Sequence, residues 1–220
     1  MISTFRNIKA VALAGLVGLG LGIQYGEVRA TANEVIVVAG GCFWCVESDF
    51  ERVQGVTEVI SGFTGGTVEN PTYKQVVRGG TGHYEAVQIF FDPSQITQDQ
   101  LYSMFFRSVD PTDGGGQFCD RGAAYRTAIF VYNSIERETA EAAVAEAQNE
   151  LGQTIVTPVL TGGEFYPADA YHQDYYKQTS IILTRFGPKS KAKAYKAYRE
   201  ACGRDERVRQ LWGSKAPFAS

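Results

Sequence analysis

The fold class that we predict is α+β, a ferredoxin-like two-layer sandwich whose mixed, mostly antiparallel sheet carries helices packed on it. Short β-branched and aromatic runs alternate with helical periods, without a strict strand–helix–strand repeat. The 220 residues are 44% hydrophobic and 20% charged, which is an ordinary globular composition and excludes collagen-like and disordered chains. A domain of this length buries a full core without metals or disulfides.

The N-terminal segment 1–30 has the layout of a secretory signal peptide. Arg6 and Lys9 form a basic start, and Ala10–Ile23 is an unbroken apolar stretch. That stretch is shorter than the roughly 20 residues that a spanning helix needs, and small residues suited to cleavage follow around Ala30. We therefore expect a periplasmic or secreted protein. The alternative is an uncleaved N-terminal anchor that holds the protein on the membrane, facing the periplasm.

The first elements of the remaining chain are a strand, a double glycine and a helix. The β-branched run Val35–Ala39 is typical of a buried strand, and Gly40–Gly41 ends it. A helical period starts at Cys42 and is closed by Gly55. The apolar positions of that period are Phe43, Val46, Phe50 and Val53. This arrangement places Cys42 at the corner between strand and helix.

The later elements follow the same two periodicities. Thr97 and Asn133 are predicted helix caps, and Gly152 ends the alanine-rich helix that runs to Leu151. The glycine-rich segment 109–120 reads as a loop, and Arg204–Arg209 alternates charges as on a surface helix. Strands are predicted at Val56–Phe63, Tyr84–Phe91, Ala128–Tyr132 and Val156–Leu160, and a turn or short helix at Asn70–Tyr73.

Four cysteines lie after the predicted signal peptide, at 42, 45, 119 and 202. An exported chain can keep disulfides, and the sequence does not choose among the three possible pairings. The Cys42–Cys45 spacing fits a thioredoxin-like dithiol or half of a zinc site. Zinc is disfavoured because a second such pair is missing and the two histidines lie far apart in the sequence. We therefore predict no metal.

Cys42 is a candidate nucleophile because of its place at a helix start. Unpaired N–H groups and the positive end of the helix dipole favour the thiolate, so the pKa should fall below its free value of about 8.5. The alternative is a small buried residue that packs in the strand–helix corner.

These residues belong to a longer ordered set of motifs that resembles the peptide methionine sulfoxide reductases of the A type. The resemblance covers about residues 34–180 and implies one catalytic domain over 31–220, with a variable tail from about 186 to 220. The matching blocks are Gly-Cys-Phe-Trp at 41–44, Val-Glu at 46–47, Asn-Pro-Thr-Tyr at 70–73, Gly-His-Tyr-Glu-Ala-Val at 82–87, Asp-Pro-Thr at 110–112, Gly-Gln-Phe-Cys-Asp-Arg-Gly at 116–122, Tyr-Arg at 125–126, Phe-Tyr-Pro-Ala at 165–168 and Tyr-His-Gln-Asp-Tyr-Tyr at 171–176.

The resemblance implies a reaction in which Cys42 attacks the sulfur of methionine S-sulfoxide. Glu85 matches the family's general acid, which protonates the sulfoxide oxygen. Tyr73 and Tyr125 match tyrosines that hydrogen-bond that oxygen, as in an oxyanion hole. Asp120 matches an acidic residue that supports the hydrogen-bond network of the site. From the residues alone, Glu85 also fits a solvent-facing strand position, and the tyrosines fit packing roles.

Attack leaves a sulfenic acid, which a second thiol converts into a disulfide. Cys202, Cys45 and Cys119 are the candidates for that resolving role, and Cys202 lies in the tail where the family often places its recycling cysteine. Many family members carry glycine at the position of Cys45. Phe43 and Trp44 are expected to form the apolar pocket for the substrate's S-methyl group.

The implied substrates are oxidised proteins and free methionine S-sulfoxide, and the expected electron donor is thioredoxin or a thioredoxin-like protein. No nucleotide-binding glycine motif is present, so we predict no cofactor. The net charge of −3 argues against nucleic-acid binding, and we expect a monomer. Two other functions remain open from the residues: a general thiol–disulfide oxidoreductase that uses Cys42 and Cys45, and a non-catalytic peptide-binding module.

Overall fold

A computed structural model describes residues 33–219, so the predicted signal peptide lies outside the described residues. The strands are β1 (Glu34–Gly40), β2 (Val56–Thr64), β3 (Tyr84–Phe91), β4 (Gly116–Gln117), β5 (Asp120–Arg121), β6 (Thr127–Val131), β7 (Val159–Thr161), β8 (Tyr166–Pro167), β9 (Ile181–Thr184) and β10 (Gly187–Ser190). The helices are α1 (Phe43–Phe50), α2 (Tyr73–Arg78), α3 (Gln98–Phe106), α4 (Ser134–Leu151), α5 (Lys191–Ala201) and α6 (Arg204–Trp212).

The main sheet has six strands in the order β7-β6-β1-β3-β2-β8. Its central four strands occur along the chain in the order β1, β2, β3 and β6. Helix α1 connects the first two of them, and α3 lies between β3 and β6, as does the separate β4–β5 ladder. All neighbours among these four are antiparallel, and only β6 and β7 run parallel. This is the ferredoxin-like arrangement, and the predicted fold class is confirmed.

Register and burial explain why the sheet is stable. Val38 of β1 lies opposite Val87 of β3 on one side and Ile129 of β6 on the other. All three side chains are fully buried, so their apolar surface is removed from water on the face that the helices cover. Glu85 lies at the start of β3, opposite Phe63 of β2. The sheet therefore carries a carboxyl group close to the corner where β1 gives way to α1.

The predicted helix caps are present. Thr97 accepts a hydrogen bond from the N–H of Gln100, whose side chain bonds back to Thr97, so this cap is a complete capping box. Asn133 caps α4, and Gly152 ends it in the left-handed conformation with φ of +64°. None of the helices within residues 33–219 has the length and apolar character needed to cross a bilayer.

Three elements differ from the sequence predictions. Helix α1 ends at Phe50 rather than at Gly55. The Arg52 side chain donates a hydrogen bond to the Ser48 carbonyl oxygen, and turns follow in place of a further helical turn. The segment 109–120 is not entirely a loop, since β4 and part of β5 form a small ladder there. Helix α6 lies where a surface helix is predicted and exposes Glu206 and Arg209, but its first residue, Arg204, is buried.

Candidate active site

The corner between β1 and α1 forms because two glycines allow a close approach of backbone and side chains. Gly41 has φ of +81°, and a Cβ atom built there would lie only 2.6 Å from the Cβ of Gln117. Any L side chain would therefore be strained in conformation and in contact. Cys42 follows as the N-cap residue of α1, half-buried, with its side chain on a cavity.

That cavity has a volume of about 390 Å³ and is bounded by α1, β3, the β4–β5 segment, the β9–β10 hairpin and α5. It brings together most of the predicted site residues and all four cysteines. The predicted residues that line it are Cys42, Trp44, Cys45, Tyr73, Glu85, Asp120, Tyr125 and Cys202.

Cys42 and Cys45 share one hydrogen bond, and their titration differs from the sequence prediction. The hydrogen bond to Cys45 and removal from solvent raise the pKa of Cys42 well above its usual range. The same hydrogen bond, opposed by burial, lowers the pKa of Cys45 to about 7. The prediction of a lowered pKa at Cys42 is thus wrong for the resting site, because the neighbouring sulfur outweighs the helix dipole. The hydrogen bond therefore favours a negative charge on Cys45 over one on Cys42.

Two buried arginines favour that charge on Cys45. Arg204 and Arg199 both lower the pKa of Cys45 through their positive charges. Arg204 is almost fully buried and donates to the carbonyl oxygens of Gly40 and Ser108. Arg199 binds Asp49 at 2.8 Å. Backbone carbonyls and one buried carboxylate thus hold both cations beside the sulfur, where the low dielectric strengthens their effect.

Glu85 is a buried carboxyl group with a raised pKa. Its side chain is 1% exposed, and Oε2 accepts a hydrogen bond of 3.1 Å from the N–H of Phe43. Burial raises the pKa of Glu85 to about 8, and the charge of Asp120 adds to the rise, while the Phe43 N–H opposes it. Oε1 is buried without a hydrogen-bond partner. The group is therefore protonated at neutral pH, with one oxygen free for a ligand.

Burial also raises the pKa values of Tyr73, Tyr125 and Asp120 in the cavity. Burial and the nearby charge of Glu85 raise the pKa of Tyr73 and of Tyr125 above the usual tyrosine range, so both hydroxyls remain hydrogen-bond donors. Burial also raises the pKa of Asp120, against the positive charge of Arg204. The hydroxyls of Tyr73 and Tyr125 are therefore available as donors to a sulfoxide oxygen in this cavity.

An aromatic stack forms the apolar wall. The rings of Trp44 and Tyr175 are parallel with centroids 3.7 Å apart, and Tyr73 stacks on His172 at 4.2 Å. Phe43 departs from its predicted role, because its ring is buried in the core against Phe63 and Tyr73 and does not line the cavity. The residue at the start of a helix points its side chain back into the core, and only its backbone N–H serves the site.

The family model of peptide methionine sulfoxide reductase matches residues 34–214. The chain belongs to this family. It is 46% identical over 188 residues to peptide methionine sulfoxide reductase MsrA 2 of Rhizobium meliloti, covering 86% of this chain and 88% of that protein. It is 43% identical to the MsrA of Bacillus licheniformis, covering 84% and 97% of the two chains.

Solved structures of methionine sulfoxide reductases share the fold. The methionine sulfoxide reductase A of Corynebacterium diphtheriae aligns with a TM-score of 0.60 and 33% identity, over 66% of this chain and 74% of that one. The reduced form of Mxr1 from Saccharomyces cerevisiae aligns with a TM-score of 0.64 and 28% identity, over 66% and 85%.

In this methionine sulfoxide reductase, the other two cysteines are bonded to each other. Cys119 and Cys202 form a disulfide with a Cα–Cα distance of 5.1 Å, while Cys42 and Cys45 are free. Cys119 is exposed and Cys45 is buried. The predicted resolving residue Cys202 is therefore engaged in this state, and Cys45 is the free thiol next to Cys42.

Sequence reasoning missed three residues of this reductase site. Tyr175 belongs to the aromatic wall, and His172 packs behind it against Trp44 and Tyr73; the dense aromatic block around the two is the available signal. Arg204 was assigned to a surface helix from its charge pattern. The available sequence signal for a buried Arg204 is its position directly after Cys202 and Gly203.

One cluster of carboxylates, formed by Glu47, Glu51 and Asp174, has metal-like spacing within 4.8 Å. Lys177 pairs with both Glu51 and Asp174, and Glu47 accepts hydrogen bonds from Ser61 and from the N–H of Asp174. The ammonium group and these donors already satisfy the cluster, so we assign no metal to it.

Proposed function

We propose that the chain reduces the S epimer of methionine sulfoxide, in oxidised proteins and as the free amino acid, with Cys42 as nucleophile. The observation that carries the proposal is the buried carboxyl of Glu85, held by the residue that follows Cys42. A sulfoxide becomes electrophilic at sulfur when its oxygen receives a proton, and a carboxyl with a pKa of about 8 supplies one at neutral pH.

In the first step, the Cys42 thiol passes its proton to the Cys45 thiolate and attacks the sulfoxide sulfur. Glu85 donates a proton to the oxygen while Tyr73 and Tyr125 hydrogen-bond it. The oxygen is transferred to Cys42, whose sulfur is oxidised by two electrons to a sulfenic acid. The substrate sulfur is reduced by the same two electrons, and methionine leaves.

Cys45 then acts as the first resolving residue. Its sulfur attacks the Cys42 sulfenic acid, an S–S bond forms, and the hydroxyl leaves as water with the proton that Cys45 releases. The support is position: Cys45 hydrogen-bonds Cys42, and its pKa of about 7 keeps much of it as the nucleophilic thiolate at neutral pH.

Cys202 acts in the next exchange, together with Cys119. In their reduced form these two thiols attack the Cys42–Cys45 disulfide, so that the first pair returns to thiols and the second becomes a disulfide. The bonded Cys119–Cys202 pair beside the two free thiols supports this exchange, since it has the pairing that the exchange would produce. A thioredoxin-type dithiol then reduces the exposed Cys119–Cys202 bond, since Cys45 is too buried for a protein to reach.

The setting of the reaction rests on the sequence. Segment 1–30 is proposed as a signal peptide that exports the enzyme to the periplasm or the medium, with membrane anchoring as the alternative. The acidic net charge supports a protein that does not bind nucleic acid. We also propose that it acts as a monomer, because one chain supplies every group that the reaction uses.

The test uses the purified protein, dithiothreitol and a peptide that carries racemic methionine sulfoxide, with each epimer followed by chromatography. We expect the S epimer alone to be consumed, and Cys42→Ser to abolish its consumption. A second assay, with insulin as the substrate, distinguishes this function from that of a general thiol–disulfide oxidoreductase. Reduction of insulin disulfides without loss of either sulfoxide epimer would replace the proposal with a general thiol–disulfide oxidoreductase.

A further inference from the structure

The β9–β10 hairpin exposes apolar side chains on its outer face. Ile181 and Leu183 are 70% and 84% exposed, and Pro188, opposite Leu183 in the ladder, is exposed as well. Ile182, between them, turns inward and packs beside Cys45. Strand residues alternate between faces, so Ile182 faces the cavity while Ile181 and Pro188 face solvent, and the exposed Leu183 also borders the cavity. Exposed apolar surface next to a reactive site is typical of an interaction surface.

The tip of this hairpin adjoins the Cys119–Cys202 disulfide. The Arg185 guanidinium lies over the rings of Phe186 and Tyr198, at 4.8 Å and 5.2 Å. The carbonyl oxygen of Tyr198 accepts a hydrogen bond of 2.9 Å from the N–H of Cys202. A protein that contacts the apolar face is thereby placed beside the reducible bond.

The same part of the chain is cationic. Between Arg185 and Arg199 the sequence contains no acidic residue, although the whole chain has a net charge of −3. Arg199 is paired with Asp49 and Asp205. Lys191 is buried and donates to the Tyr171 carbonyl and the Gln178 side chain. Within residues 33–219, four further cations of this stretch are not buried and have no anionic partner. They are Arg185, Lys189, Lys193 and Lys196.

We propose that the outer face of the β9–β10 hairpin, together with the exposed Lys193 and Lys196 of α5, is the docking surface for the protein dithiol that reduces Cys119–Cys202. The partner is an acidic protein with an apolar rim around its dithiol. The unpaired cations favour such a partner over the substrate, because oxidised polypeptides vary in charge whereas a dedicated reductant can match a fixed positive field. This inference rests on the proposed recycling of the reductase.

The chemistry on this surface is a thiol–disulfide exchange. A thiolate of the partner attacks the exposed Cys119 sulfur, a mixed disulfide forms, and Cys202 leaves as a thiolate that takes up a proton. The second thiol of the partner then attacks the sulfur of the partner's first cysteine, which is bonded to Cys119 in the mixed disulfide. Cys119 is released as a thiolate and takes up the proton of that second thiol. The partner is oxidised to a disulfide by two electrons, and Cys119 and Cys202 are reduced to thiols.

The experiment compares two reductants with peptide methionine sulfoxide as substrate. One is an acidic bacterial thioredoxin, regenerated by its reductase and NADPH, and the other is dithiothreitol. The variants are Ile181→Ser, at a residue that lies outside the lining of the cavity, and Lys193→Glu/Lys196→Glu. The matched control is Ile135→Ser, since Ile135 is 74% exposed on α4, outside the proposed surface.

We expect each variant to raise the KM for thioredoxin by about 10-fold and to leave the rate with dithiothreitol unchanged. Added salt should raise the wild-type KM for thioredoxin, since it screens the cations. An unchanged KM for thioredoxin in both variants would overturn the proposal. So would a raised KM for the peptide with either reductant, which would assign the surface to the substrate. Absence of wild-type activity with dithiothreitol would instead refute the proposed function itself.

Discussion

The N–H of Phe43 donates a hydrogen bond of 3.1 Å to the buried carboxyl of Glu85. Phe43 directly follows Cys42, so this bond fixes the distance between the proposed acid on β3 and the proposed nucleophile at the start of α1. The acid is attached to the backbone of the nucleophile's own helix. Movement of the helix would therefore move both groups together.

Replacement of the acid tests its role in the first step. Glu85→Gln keeps the shape and the hydrogen bond from Phe43 but cannot donate an acidic proton. We expect the single-turnover rate of methionine formation to fall by about 10²-fold or more. The control is Glu58→Gln, because Glu58 is an exposed carboxyl on β2. An equal rate for Glu85→Gln and wild type would exclude Glu85 as the acid.

The pH profile of the same single turnover should have two limbs. The rate rises as pH passes about 7, where Cys45 becomes a thiolate that can accept the Cys42 proton. It falls as pH passes about 8, because the raised pKa of Glu85 means that the protonated donor is lost above that value. Glu85→Gln should remove the falling limb only. A falling limb that persists in this variant would assign it to another group.

The two cavity tyrosines should act together on the sulfoxide oxygen. We expect Tyr73→Phe and Tyr125→Phe each to lower the single-turnover rate by about 10-fold, and the double variant by about 10²-fold or more. Tyr132→Phe is the control, since its hydroxyl bonds the Gly163 carbonyl at the surface. If the double variant were no slower than either single one, only one hydroxyl would contact the oxygen.

The two cysteine pairs predict how many methionines one protein chain forms when no reductant is present. Fully reduced protein, mixed with excess S-sulfoxide and no reductant, should form about two methionines per chain, since both pairs become oxidised in turn. Cys119→Ser/Cys202→Ser should form about one. An unchanged rate for its first turnover would show that the variant is folded. A yield of one methionine from the wild type would mean that Cys119 and Cys202 do not supply electrons.

The sequence predicted those features that depend on local patterns. Strand β3 and the caps at Thr97 and Asn133 follow from alternation and from side chains that bond their own backbone. Features that depend on contacts between residues far apart in the sequence were not predicted. The sequence predicts Arg204 as a surface charge, whereas the carbonyls of Gly40 and Ser108 and the carboxylate of Asp49 accommodate it in the core.

The same limit applies to the site. Cys42 and Glu85 were found from local position and from motifs, and the cavity brings them together. The direction of the pKa shift at Cys42 was wrong, because it depends on the hydrogen bond with Cys45 and not on the helix start alone. The Cys119–Cys202 bond joins residues 83 positions apart, which spacing cannot reveal.

The most direct test of the account is to trap the sulfenic acid. Cys45→Ser protein, fully reduced, is mixed with one equivalent of S-sulfoxide peptide and then with dimedone, and its peptides are analysed by mass spectrometry. We predict one dimedone adduct, on Cys42, with one methionine formed per chain. Methionine formation with no adduct on Cys42, and no disulfide that includes Cys42, would contradict the account.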